Sequence, residues 1–243
     1  MSSFPSKLFA GIAVLPILFF SLACASGGAG VVAVAPGYHA DGPNTLKAKH
    51  NLLTNHLPRN QDGTINVVVE IPAGTSAKWS VNKEGTALVR DFTGDTPRVI
   101  DYLAYPGNYG FIPRTLLDEE KGGDGGALDV MVLGPAVPRG TVVRAHPIGI
   151  LRIVDRMEQD DKVLAVMDGP TLQRVYDIES LKARYPGATE IIVTWWSHAH
   201  GNRSKVNLMG TGSRGQANAV IDYATDAWKE HRRKLRHSAD QAQ

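Results

Sequence analysis

A single cysteine, Cys24, stands among 243 residues. With no second thiol there is no internal disulfide, so a small stapled framework is excluded. Net charge is also nearly absent, since 26 Lys and Arg against 24 Asp and Glu leave +2. A general nucleic-acid binder would carry a strongly basic domain and an acidic-tail protein the opposite, so both classes are excluded. No long apolar run is present either. The longest, from Leu8 to Ala23, falls short of the roughly 20 residues that cross a bilayer and is interrupted by Pro16. What remains is ordinary for a globular chain: 43% apolar and 21% charged residues exclude bulk disorder. The length is enough to bury a core, and 25 Gly with 14 Pro predict many turns.

Residues 1–25 have the order of a secretory signal peptide: a basic start at Lys7, a short apolar middle, and the small-x-small exit Ala23-Cys24-Ala25. The expected location is therefore periplasmic or secreted, with cleavage after Ala25. Lipidation at Cys24 is the alternative, against which Ser21 stands where a lipoprotein signal usually has Leu. Residues 26–57 are poor in apolar side chains and rich in Gly, Ala, Asn and His, which predicts a flexible leader. The folded domain is expected over 58–243.

Within that domain, Ile65 to Ile71 is β-branched and ends at Pro72. Short strands are predicted at Lys78–Val81, Ala87–Val89, Leu128–Leu133, Thr141–Ala145, Ile148–Val154 and Val163–Met167. Such spacing suggests a barrel or sandwich. Gln216–His237 places Val220, Tyr223, Ala224, Ala227 and Trp228 at helical spacing with a basic end, which predicts an amphipathic C-terminal helix. The basic run reads as a solvated face. Trp195-Trp196-Ser197-His198-Ala199-His200 reads as a loop or strand edge.

Acids gather at strand ends: Glu70, Asp124, Asp129, Asp155, and Asp160 with Asp161. Alone, each is an ordinary turn residue. Together they could form an all-oxygen site for Mg²⁺, which keeps several waters and usually meets substrate phosphates. Tyr105-Pro106-Gly107-Asn108-Tyr109-Gly110-Phe111-Ile112-Pro113 predicts an ordered loop presenting phenols. Lys78, Arg90, Arg98 and Lys162 supply the cations that hold phosphate oxygens.

These runs carry a resemblance. Val69-Glu70-Ile71-Pro72-Ala73, the Tyr105–Pro113 run, Gly134 to Gly140, and Ile148-Gly149-Ile150-Leu151 leading to Asp155, Asp160 and Lys162 resemble the family I soluble inorganic pyrophosphatases. The resemblance implies an α+β, mainly β fold: an OB-like five-stranded barrel with flanking helices and a C-terminal helix. It also implies Mg²⁺-dependent hydrolysis of inorganic diphosphate and a homo-oligomer, often a hexamer in bacteria. By position, Glu70, Asp124, Asp129, Asp155 and Asp160 would hold metal. Lys78, Tyr109 and Lys162 would contact phosphate, with Tyr105 in support. Either Arg90 or Arg98 would be the active-site arginine, and the sequence leaves both open. Three departures stand against this pattern. The family's Asp-x-Asp-Pro-hydrophobic-Asp run has Gly126 at its middle acid, where the proton acceptor for the attacking water is expected. Ser80 replaces a Glu two residues after Lys78, and Ala199-His200 replaces a phosphate-binding Tyr-Lys pair. The alternative is thus a catalytically impaired relative that binds metal, phosphate or a protein partner.

Overall fold

The computed structural model describes residues 32–155, 158–199 and 207–241. The expected signal peptide, Cys24 and His200 lie outside the described residues. In chain order the elements are β1 (Tyr38–Ala40), β2 (Thr45–Ala48), β3 (Ile65–Ile71), β4 (Trp79–Val81), β5 (Ala87–Arg90), β6 (Phe92–Thr93), β7 (Thr96–Pro97), β8 (Asn108–Phe111) and β9 (Asp129–Leu133). Then come β10 (Val142–Asp155), β11 (Glu158–Gln159), β12 (Lys162–Met167), α1 (Ile178–Arg184), α2 (Ala188–His198), β13 (Asn207–Gly212) and α3 (Arg214–Gln241).

Five strands close on themselves. β3 pairs antiparallel with β8, β8 antiparallel with β9, β9 parallel with β12, β12 antiparallel with β10, and β10 antiparallel with β3. This is the expected five-stranded barrel. Closure removes the free edges of these strands. β11 and β13 extend it along the far end of β10. The sequence predicted two strands across Pro147, yet β10 runs unbroken for 14 residues. A register shift between Pro147 and Gly149 absorbs the proline, which has no N–H to give to the ladder.

Alternate residues of the barrel strands serve two cores. On β9, Val130 and Val132 join Ala217, Ile221 and Ala224 of α3, while Met131 joins Ile178 and Leu181 of α1 and Ile192, Trp195 and Trp196 of α2. The Trp195–His198 run is therefore helical, not a loop or strand edge. Its buried residues Ile192, Trp195, Trp196 and Ala199 follow i, i+3, i+4, i+7, one face of a helix.

The expected flexible leader is partly folded. From residue 32 onward it contributes β1 and β2 to a second sheet in the order β1-β2-β5-β4. Leu46 and Leu52 are buried with Trp79 and Leu88 against Val68 and Phe111 of the barrel. Two well-placed leucines suffice because backbone pairing of Leu46 with Leu88 supplies the rest. Each buried leucine contributes about 2 kcal/mol of apolar burial. Among the described residues no helix is long and apolar enough to cross a membrane.

Candidate active site

β3 carries Glu70 one residue before its end, on the face it shares with Val68. The side chain is 4% exposed. Its Oε1 accepts from the Val81 N–H at 2.6 Å. Burial, then the charge of Asp129, push this carboxyl up to about 8, with Lys78 only partly offsetting them.

β8 carries Tyr109, whose hydroxyl donates to Asp129 Oδ2 at 2.6 Å. Gly110 is required here, since a Cβ would overlap the Val68 carbonyl of the adjoining strand. Asn108, fully buried, braces the loop. Its Oδ1 accepts from the N–H groups of Ala73 and Val137 at 3.2 and 3.1 Å, and its Nδ2 donates to Pro135 O at 2.9 Å. These bonds fix the tyrosine run against the segment after Glu70.

β12 opens with Lys162, buried, whose ammonium donates to Asp129 Oδ2 at 2.6 Å and to Asp160 Oδ1 at 2.5 Å. Burial would raise Asp129, but the Lys162 ammonium and the Tyr109 hydroxyl hold it below the usual carboxylate range. Asp160 stays raised because burial and the charges of Asp129 and Asp124 outweigh the same ammonium. The paired acids hold Lys162 above its ordinary value despite burial. Asp161 does other work. It binds Arg152 Nη1 at 2.5 Å and the Ile153 N–H at 3.1 Å, stapling β10 to the turn.

Lys78 lies between these groups, 5.0 Å from the Tyr109 ring centroid. Tyr105, Asp129 and Glu70 raise it against the effect of burial. Asp124 is exposed at the rim, and its Oδ1 accepts from the Gly126 N–H at 2.9 Å. Asp155 ends β10 and its side chain lies outside the described residues.

The two arginine candidates diverge. Arg90 is the cross-strand partner of Trp79, so both face the layer between the sheets. There its charge adds to burial in lowering Arg139 to about 10. Arg98 is exposed at the rim, with Nη1 3.6 Å from Asp91 Oδ2. Asp91 is the residue the sequence did not single out. It is near enough to Glu70 to raise that carboxyl. Its only sequence cue is its place directly after β5.

Behind the phenols lies an aromatic wall. Tyr105 packs on Trp195 at 4.6 Å between centroids, Tyr109 on Trp196 at 5.8 Å, and the two indoles meet edge-on at 5.2 Å. His198 is not among the acids. Its Nδ1 lies 2.8 Å from Thr194 O, and the ring stacks on Tyr102. Ala199 is buried in the apolar core beside α2.

Comparison with known proteins agrees with this arrangement. The family model described as inorganic pyrophosphatase matches residues 67–229. The chain belongs to the inorganic pyrophosphatase family. An inorganic pyrophosphatase of Gluconobacter oxydans is 36% identical over 172 residues, covering 68% of this chain and 91% of the relative. One from Nostoc is 32% identical over 171 residues, covering 69% and 93%. Among solved structures, the inorganic pyrophosphatase of Helicobacter pylori superposes with a TM-score of 0.61 at 28% identity, covering 74% of this chain and 99% of that one. That of Thermus thermophilus gives 0.63 at 25% identity, covering 74% and 99%.

Among the described residues no three acids or histidines converge into a finished ligand set for a divalent cation. The donor chemistry nonetheless fits. All the acids offer hard oxygens, and Glu70 and Asp160 are each raised partly by neighbouring acids, a repulsion that a cation would relieve.

Proposed function

We propose that this chain is an exported, Mg²⁺-dependent inorganic diphosphatase. The observation that carries the reading is the partly buried constellation of Asp129, Asp160, Lys162 and Tyr109 facing Glu70 and Lys78. Mg²⁺ held by Glu70, Asp124, Asp129, Asp160 and, by resemblance, Asp155 would lower the pKa of a bound water and neutralise diphosphate charge. The protein's own groups do the rest. Lys78 and Lys162 are held charged and donate to phosphate oxygens. Tyr109 orients Asp129, and Tyr105 with Trp195 fixes the wall against which Lys78 rests. Arg98, at the rim, meets the outer phosphate. One P–O bond of diphosphate breaks as the water oxygen bonds phosphorus, giving two phosphates, and the water's proton passes to a base.

Gly126 bears on that last step, because the family's acid is missing at this position. The backbone conformation accepts one: the three atoms nearest a Cβ there all belong to the Asp124 carboxylate, with Oδ1 at 3.0 Å, so that side chain must shift slightly. Gly126→Asp is therefore expected to raise the rate about 10-fold or more, the usual size of a general-base contribution being about 10²–10⁴. An unchanged rate in an active protein would assign the proton to another group. The founding test is phosphate release from diphosphate by the mature chain with and without Mg²⁺. Release no greater than that of Glu70→Ala would leave the binding-only reading, which a thermal shift with Mg²⁺ and phosphate would then support. Export and the cleavage site are tested by the N-terminal sequence of protein from the periplasmic fraction. Self-association is tested by sedimentation.

A further inference from the structure

Ser80 lies on β4 two residues after Lys78, and its hydroxyl donates to Asp91 Oδ1 at 2.5 Å. The backbone fixes Asp91 in turn. Its N–H donates to Lys78 O at 3.1 Å, and its carbonyl accepts from the Arg98 N–H at 2.8 Å. The Lys78 N–H closes the lattice by donating to Arg98 O at 3.1 Å. Lys78, Asp91 and Arg98 are thus laced together, and a side-chain carboxylate only 18% exposed is held by Ser80, whose neighbour Val81 donates its N–H to Glu70.

That carboxylate is poorly compensated. Among the described residues its one ion pair is with Arg98 at 3.6 Å, itself 42% exposed, and its one side-chain hydrogen bond comes from a neutral hydroxyl. Across from it stands Glu70, another buried acid. A nearly buried carboxylate placed beside a second one costs stability unless a cation joins them. An isolated structural role for Asp91 would be better served by asparagine, which keeps the Ser80 bond without the repulsion.

We propose that Asp91 is a positioning carboxylate of the diphosphate site. Ser80 and Asp91 act as one composite acidic group on the β4–β5 edge, which accepts hydrogen bonds from the water shell of a divalent cation held by Glu70. The same carboxylate keeps Arg98 over the mouth. A shortened side chain on β4 is thereby matched by a carboxylate delivered from the end of β5.

The test is calorimetric titration of Mg²⁺, without diphosphate, into the full mature chain. Asp91→Asn is expected to weaken Mg²⁺ binding about 10–100-fold, the usual effect of losing an outer-shell partner, while the metal-free melting temperature holds or rises. The relocated pair Ser80→Glu with Asp91→Ser is expected to recover most of the affinity. Unchanged Mg²⁺ affinity in Asp91→Asn, or a lower metal-free melting temperature with no recovery in the relocated pair, would overturn the proposal. If Asp91→Asn does not fold, the relocated pair alone decides, since affinity near that of the wild type requires an acid on this edge and weak binding refutes it. The proposal rests on the Mg²⁺ reading of the site. A wild type that neither binds Mg²⁺ nor releases phosphate ends both, whereas a binding wild type with an indifferent Asp91→Asn ends this proposal alone.

Discussion

Asp129 and Glu70 are two acids of one site with opposite electrostatic fates. Both are taken out of water, and burial favours the neutral form of each. Asp129 receives the Lys162 ammonium and the Tyr109 hydroxyl, both at 2.6 Å, and stays ionised. Among the described residues Glu70 receives a single backbone N–H, so burial, then the charges of Asp129 and Asp91, raise its carboxyl to about 8. Burial alone does not set the protonation state; the first directed partner does. One half of the site is thus complete within the protein, while the other keeps a protonated acid that a cation would ionise.

Three substitutions test this contrast. Asp129→Asn strikes the completed half and has the largest effect. It leaves the buried Lys162 with Asp160 alone and is expected to cost about 3 kcal/mol, seen as a fall of about 10 °C in melting temperature, together with loss of phosphate release. Glu70→Gln strikes the open half, and its effect depends on pH. Between the ordinary glutamate value and about 8, the unfolded chain has lost this proton and the native chain retains it. Folding with Glu70 is therefore penalised increasingly as pH rises through that window. In metal-free buffer the wild type should lose about 8 °C relative to Glu70→Gln between pH 5 and 8, and the two curves should run parallel above that. Parallel curves across the whole range would mean that Glu70 is not raised. Tyr109→Phe removes one of the two partners of Asp129. It should cost about 1 kcal/mol, or about 3 °C, and leave the pH dependence of the Glu70 half untouched.

The same division explains what was legible in the sequence. The completed half is written in short runs: Tyr105 to Pro113, Asp129 at the head of an apolar strand, and Asp160 two residues from Lys162. Only Asp160 and Lys162 are joined by local spacing; Tyr109 and Lys162 reach Asp129 through the β8–β9 and β9–β12 pairings. The open half depends on how the β4–β5 hairpin and the segment up to Arg98 lie against β3, which no local pattern specifies. Asp91 was missed for that reason, and Arg90 and Arg98 could not be separated. Arg90 opposes Trp79 and turns into the layer between the sheets, while Arg98 is steered outward by Asp91. The helical period of Ile192, Trp195, Trp196 and Ala199 was present in the sequence but obscured by the alternating histidines after it. The leader misled for the opposite reason. Its composition is that of a linker, yet Leu46 pairs with Leu88 and is buried.

β10 has a consequence for how the chain reaches this state. Its start pairs with Ile65–Val68 of β3, its middle with β12 and its end with β13, so one strand gathers segments from both ends of the chain. Local hairpins such as β10–β12 can form early, but the β3–β10 seam must bring together residues nearly eighty positions apart in sequence. Closing so long a loop carries an entropic cost before any contact rewards it, which makes barrel closure a slow step of folding. Glu70 lies at the end of the strand that makes this seam. The Glu70 half of the site is therefore whole only in a chain that has closed its barrel.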